Sequence, residues 1–254
     1  MLYHVLSLVL IASLSGVDVS EQDVSDVIAT YRQRNVQTFR QRMPPPARDK
    51  EFRESIHRNL PVEFKRRLVD DSQDINLLRE VLEPVLVLYG RLEFYDIVIV
   101  RDRTPLMMSD SGVVLLVTTG MIESAASDDE LLGFAAHEVA HEYFVFYSVE
   151  SRHLLQTISA NGNESDLKRK MSEMLSLIEL HCDAFAALTL TALHYNAIDF
   201  IRGLERTDAK FGDIRKDNHP ATAIRRRVVE ALADSSSQSR RSQTLRELQA
   251  RLAQ

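Results

Sequence analysis

Apolar residues recur at helical spacing along most of this chain, and the elements they predict are mainly helices. Residues 20–42 read as a polar helix, ended by the stiff connector Pro44-Pro45-Pro46. Residues 48–69 read as a charged helical stretch interrupted at Pro61, and 75–89 as an apolar helix bent by Pro84, with Gly90 at its C-terminal cap. The period then changes. Residues 94–100 are rich in β-branched and aromatic side chains and read as a strand, as do 113–119, with Asp110-Ser111-Gly112 supplying turn residues between them. Ser127 followed by Glu130 is a capping-box pattern that opens a helix through Leu131, Phe134, Ala135 and Val139 to about Leu155. Asn161-Gly162-Asn163 marks a loop. Ser165 caps a helix carrying Leu167, Met171, Met174, Leu175 and Ile178, which continues through Glu179 to about Leu193. Asn218-His219-Pro220 reads as a turn, and 221–232 and 243–252 as helices joined by a serine- and arginine-rich stretch at 235–242. The expected fold is α+β, mainly α-helical, with a small sheet and no internal repeat.

Composition narrows the class. At 254 residues the chain can bury one substantial core, and glycine (8) and proline (7) are scarce, as a helical fold requires. A net charge of -6 argues against nucleic acid as a partner, because phosphate neutralisation needs a basic excess. The single cysteine, Cys182, excludes an internal disulfide and a thiolate zinc finger. The apolar run at 5–14, followed by Ser15 and Gly16, matches the core of a secretory signal, although residues 1–4 lack Lys and Arg; a buried amphipathic N-terminus or a short anchor is the alternative. The expected organisation is a signal peptide or anchor at 1–20 and one domain at 21–254. Within that domain, 21–70 form a helical arm, 71–232 the core and 233–254 a helical tail. The expected location is exported, periplasmic or extracellular, with peripheral membrane association through the N-terminus as the variant of that expectation. No other segment is expected to cross a bilayer.

Residues 137–141 read His-Glu-Val-Ala-His in mid-helix. Two histidines four apart lie about 40° apart around a helix, so both rings can reach one ion, while Glu138 can reach a water on that ion without binding the metal itself. Apolar neighbours on most sides imply burial, and a buried pair of histidines with a glutamate needs compensation that a metal supplies. The plain alternative is two satisfied core histidines. A zinc site with two histidines and an open position takes one more anionic ligand. Glu179 and Asp183 share a face of the later helix, so Glu179 can ligate while Asp183 orients a ligating histidine from behind. His181 and Cys182 read as packing residues. Without the first motif, Glu179 would be read as a solvated helical glutamate. His219 alone reads as a turn residue. Arg225 is either paired with a carboxylate near the site or exposed within Arg225-Arg226-Arg227.

The segments 114–120, 137–141, 179–186 (Glu-Leu-His-Cys-Asp-Ala-Phe-Ala) and 219–225 (His-Pro-Ala-Thr-Ala-Ile-Arg) follow one another in an order that resembles the HtpX-like and type I CAAX prenyl protease family, the gluzincin family M-forty-eight of zinc endopeptidases. The resemblance covers about residues 95–230 and points to the compact branch without multiple membrane helices. It implies a zincin-like fold whose edge strand borders the active-site helix, one zinc ion per chain on His137, His141 and Glu179, and Glu138 as general base. It further implies Asp183 as structural neighbour of the ligands and His219 as stabiliser of the oxyanion. The strand 113–119, with Val114, Leu115, Leu116 and Val117, is implied to be the edge along which a polypeptide substrate lies extended. The expected activity is hydrolysis of peptide bonds, with unfolded or misfolded proteins as substrates and a role in protein quality control. The alternative from another class is a zinc-stabilised protein-binding or chaperone-like module.

Overall fold

The computed structural model describes residues 19–147, 164–211, 219–234 and 236–253. The expected signal or anchor segment (but for its last two residues), His153, the Asn161-Gly162-Asn163 loop and Asn218 lie outside those residues. The chain is mainly helical with one small sheet. In order come α1 (Glu21–Arg32), α2 (Val36–Arg42), α3 (Lys50–Asn59), α4 (Val62–Lys65) and α5 (Ser72–Leu88). Three strands follow, β1 (Asp96–Val100), β2 (Met107–Asp110) and β3 (Val114–Thr118), then the short α6 (Thr119–Ser124). The remaining helices are α7 (Asp128–Tyr147), α8 (Glu164–Ala192), α9 (Ala197–Phe211), α10 (Thr222–Leu232) and α11 (Gln243–Leu252).

The centre of the molecule is α7. It packs against α5, α8 and α9, and its polar flank meets β2. Leu131, Leu132, Ala135, Ala136, Val139 and Ala140 are completely buried, so apolar contact surrounds the helix on most sides. Ser127 caps α7 as its sequence suggests, with its hydroxyl accepting from Glu130 N–H at 3.4 Å. The return bond lands one residue early, with the Glu130 carboxylate accepting from Ala126 N–H at 3.1 Å, and Ser127 Oγ donates to Asp199 at 2.9 Å. The tail is tied here too. Asp128 accepts from Ser242 N–H and Oγ, and Asp129 from Asn196 and Arg240 N–H.

Several boundaries differ from the sequence reading. The polar helix at 20–42 divides at Asn35, whose side chain caps α2 by accepting from Thr38 N–H at 3.1 Å. The 48–69 stretch gives α3 and the single turn α4 on either side of Pro61. Gly90 takes the left-handed conformation, φ +64°, that its place after α5 demands. Three elements absent from the sequence reading are β2, α6 and α9. The arms are not loose. Val24, Val27 and Tyr31 of α1 are buried in contact with α8 and α10, and Leu245 and Leu248 of α11 are buried against α5. The stretch Ser172–Ala192 of α8 is long and apolar enough to cross a membrane, contrary to the expectation that no segment after the first twenty residues would be. It is 67% buried in this fold, where it packs on α7, α10 and α1.

The sheet overturns one expectation outright. Its order is β1-β3-β2, with β1 parallel and β2 antiparallel to β3. Val114, Leu115, Leu116 and Val117 therefore lie on the central strand, all buried, with both backbone edges already paired. A strand hydrogen-bonded on both sides has no free edge for a peptide. The edge that faces α7 is β2.

Two glycines set close approaches. A Cβ at Gly133 would lie 2.4 Å from Phe200 Cβ, so α7 and α9 meet here only without a side chain. Gly112 has φ +66° in the β2–β3 turn, and a Cβ there would lie 2.7 Å from Glu142 Oε2. Alanine at Gly133 gains roughly 0.5–1 kcal/mol of helix propensity but meets an overpacking cost of about 1–3 kcal/mol. Gly133→Ala is therefore expected to lower the thermal unfolding midpoint; a raised midpoint would show that α7 and α9 do not pack this closely.

Candidate metal centre

α7 presents His137, Glu138, His141 and Glu142 within six residues, and α8 crosses it with Glu179, Cys182 and Asp183. α10 contributes Arg225, and His219 precedes it. The imidazoles of His137 and His141 turn Nε2 toward each other at 3.2 Å. The Glu179 carboxylate closes the group: Oε2 lies 3.2 Å from His137 Nε2, and Oε1 lies 3.4 Å from His141 Nε2. His219 Nδ1 reaches Glu179 Oε2 at 2.7 Å. His137 and Glu179 are buried, while His141, Glu138 and His219 are half-buried and border solvent.

Behind the imidazoles lies a second layer. His137 Nδ1 meets Asp183 Oδ1 at 3.0 Å. Arg225 grips the same carboxylate with two bonds, Nε to Oδ2 at 2.7 Å and Nη2 to Oδ1 at 2.6 Å. Both partners are buried, so Arg225 stands apart from the arginine run that follows it. Arg226 pairs with Glu205 and Glu230, and Arg227 with Glu21 at the surface. Of the two readings of Arg225, the structure places it with the carboxylate.

Glu138 is held by the strand missing from the sequence reading. Ser109 N–H donates to Glu138 Oε2 at 2.9 Å, and Ser109 Oγ donates to the Glu138 backbone carbonyl at 3.0 Å. One turn along α7, Glu142 is buried against Arg91, with Nε to Oε2 at 3.0 Å, and accepts from Tyr95 Oη. Arg91 in turn donates to the Pro44 carbonyl at 2.6 Å, which ties the proline connector to α7 through Glu142.

The charges are strongly perturbed. Burial works against the His137 cation, but the bonds to Asp183 and Glu179 outweigh it and raise its pKa to about 9. Burial dominates at His141 and lowers it. Burial alone would raise Glu179; the surrounding His219, His141 and His137 hold it well below the ordinary carboxylate range. At Asp183, Arg225 and then His137 likewise overcome burial and lower it. Burial raises the Cys182 thiol far above its usual value, with Glu179 and Asp183 adding to the effect.

Among the described residues, His137, His141 and Cys182 form a group that could hold a metal ion, with donor atoms within 4.8 Å of one another. The sulfur and the Glu179 carboxylate approach His141 from different sides, since Cys182 Sγ lies 3.5 Å from Nδ1 and Glu179 lies near Nε2. The nitrogen pair that faces one point in space is Nε2 with Nε2, and Glu179 stands on that side. The structure thus brings together His137, His141, Glu179, Glu138, Asp183, His219 and Arg225, and leaves Val114, Leu115, Leu116 and Val117 inside the sheet. Ser109 had no signal in the sequence, because its strand carries no β-branched residue. The other described histidines stand elsewhere: His57 pairs with Asp96, His181 packs on Tyr31 and Phe144, and His194 lies in the turn after α8, its carbonyl accepting from Arg240.

No protein-family model matches this chain, and no curated protein matches it.

Two outcomes follow from this electrostatic arrangement. A metal must displace the proton from His137, whose folded pKa is about 9, so the ion should bind more tightly as pH rises toward 9. The sign reverses for the metal-free fold. A raised folded pKa gives stability present in full below the unfolded value of about 6.5 and lost as pH climbs through 9. Titration calorimetry and thermal unfolding between pH 6 and 9 measure both trends, and parallel slopes for apo and loaded protein would refute them. Arg225→Met should cost roughly 3–5 kcal/mol in chemical denaturation, because it strands a buried Asp183 charge; Asp183→Asn in the same background should restore part of that loss.

Proposed function

We propose that this chain is a zinc-dependent metalloendopeptidase of the gluzincin kind, zincin-like in fold. The observation that carries this reading is the spacing of three donors, His137 Nε2, His141 Nε2 and the Glu179 carboxylate, at 3.2, 3.2 and 3.4 Å. Ligands about 2.0–2.2 Å from a tetrahedral zinc ion stand about 3.3 Å from each other. Two imidazoles and one carboxylate are also the donor set of a hydrolytic zinc site with a position left open. The motif order shared with the HtpX-like and CAAX prenyl proteases adds support from sequence.

A zinc ion, when bound, supplies Lewis acidity and brings a water's pKa to about 7. Glu138 accepts the proton of the attacking water and passes it to the leaving amine. It suits that task by being half-buried, next to the ligands and aimed by Ser109 N–H. His219 donates toward the carbonyl oxygen as negative charge gathers there, the kind of contact worth about 3–4 kcal/mol. Asp183 and Arg225 keep the His137 ring in one orientation and tautomer.

The polypeptide adds to the outer edge of β2 in place of the buried strand first expected. Ser109 N–H points away from β3 toward Glu138, so the outer edge of β2 lies beside the base. Strand addition reads main chain more than side chains, which favours extended, unfolded substrates of varied sequence.

Glu138→Gln should keep the zinc content of the wild type and lose about 10²–10⁴-fold in cleavage of an unfolded protein. Glu179→Ala should lose zinc on dialysis. A chelator should stop cleavage by the wild type and added zinc restore it. Wild-type digestion rates in Glu138→Gln would sink the mechanism, and zinc retained without any cleavage would favour a binding module.

A further inference from the structure

The two imidazoles at the centre differ in what holds their far side. His137 turns Nδ1 to Asp183, a carboxylate itself clamped by Arg225. His141 turns Nδ1 to the Cys182 sulfur at 3.5 Å, within hydrogen-bonding range for sulfur. Cys182 is fully buried and adjoins Asp183 on α8. Neighbouring residues of one helix thus serve the two histidines of another, 183 reaching His137 and 182 reaching His141. Histidines that bind metals ordinarily donate their second ring N–H to an acceptor, which fixes both ring and tautomer.

Resting on the zinc reading above, we propose that Cys182 is a positioning residue for the metal. Its sulfur accepts the Nδ1–H of His141 and keeps Nε2 turned to the ion, and it does not itself coordinate. Three observations support this. Sγ sits against Nδ1, whereas the same ring's Nε2 faces His137 and Glu179 at 3.2 and 3.4 Å. A ligand set of two Nε2 atoms and a carboxylate is complete without sulfur. The partner of His141 Nδ1 among the described residues is this sulfur, so removing it takes away that ring nitrogen's acceptor. Sulfur accepts hydrogen bonds weakly, so the ring it holds is less firmly fixed than His137, whose acceptor is a charged carboxylate.

The test uses the full-length chain with zinc or cobalt alone as probe. Zinc dissociation constants come from competition with a chromophoric chelator, and the cobalt-substituted protein gives an electronic spectrum. Cys182→Ala and Cys182→Val should weaken zinc about 10–100-fold and alter the cobalt d–d bands. Cys182→Ser keeps an acceptor and should recover most of the affinity, whereas Val fills the space without one. The wild-type cobalt protein should lack a sulfur-to-metal charge-transfer band. That band in the wild type, lost in Cys182→Ala, would make the thiol a ligand and overturn the proposal. So would affinities in Ala and Val equal to the wild type. A wild type that takes up neither ion overturns the zinc reading and this proposal together, an outcome separate from the other two because it appears without any mutation.

Discussion

One buried carboxylate organises the site. Asp183 is fully enclosed, and a lone ionised group in that position would cost several kcal/mol. It is tolerated because Arg225 gives it two charge-assisted bonds and His137 a third contact. Those partners come from α10 and α7, while Asp183 belongs to α8, so one side chain fixes the mutual placement of three helices. Everything nearer the solvent follows from that. With His137 pinned, the Nε2 atoms of the two histidines converge, and Glu179, one turn before Asp183 on α8, is delivered to the same point.

The same logic repeats along α7. Its apolar sides leave only a narrow polar stripe, and each charged group on it has a partner. Glu138 is bound to Ser109, and Glu142 to Arg91 and Tyr95. Gly133 lets α9 close on the opposite side. A helix packed this tightly cannot turn about its axis without separating ion pairs and driving Phe200 into its backbone. His137 and His141 therefore stand on a tightly held element, with Glu138, His141 and His219 as its half-buried groups toward solvent.

Much of this was legible in the sequence, and the failures have definite causes. Helices with strong apolar period and clear caps, such as the one opening at Ser127 and the last one at 243–252, could be read directly. So could the two histidines on one face of a helix and Glu179 with Asp183 on one face of another, because helical spacing sets which residues share a face; that the two faces meet was expected from the zinc motif and the family resemblance. What could not be read was the sheet. Met107–Asp110 contains two methionines, a serine and an aspartate; it becomes a strand by pairing with 114–117, a tertiary effect with no local mark. The expectation that 113–119 is an edge strand came from the family resemblance, and its pairing with β2 overturns it. Helix α9 is a different failure, since Ala197, Phe200, Ile201 and Leu204 carry a helical period and Asn196 a cap in plain view. The contact of Cys182 with His141 depends on how two helices cross, which spacing along one of them does not fix.

The two hydrogen bonds from Ser109 to Glu138 tie strand to helix through a single residue at each end. One of those bonds uses a main-chain donor on the outer side of β2, and the other uses the helix backbone itself. The spacing of β2 from α7 at this point is therefore set in part by the Ser109 hydroxyl on the Glu138 carbonyl, which no side-chain substitution at 138 removes, so a change of the glutamate head group frees the serine amide without parting strand from helix.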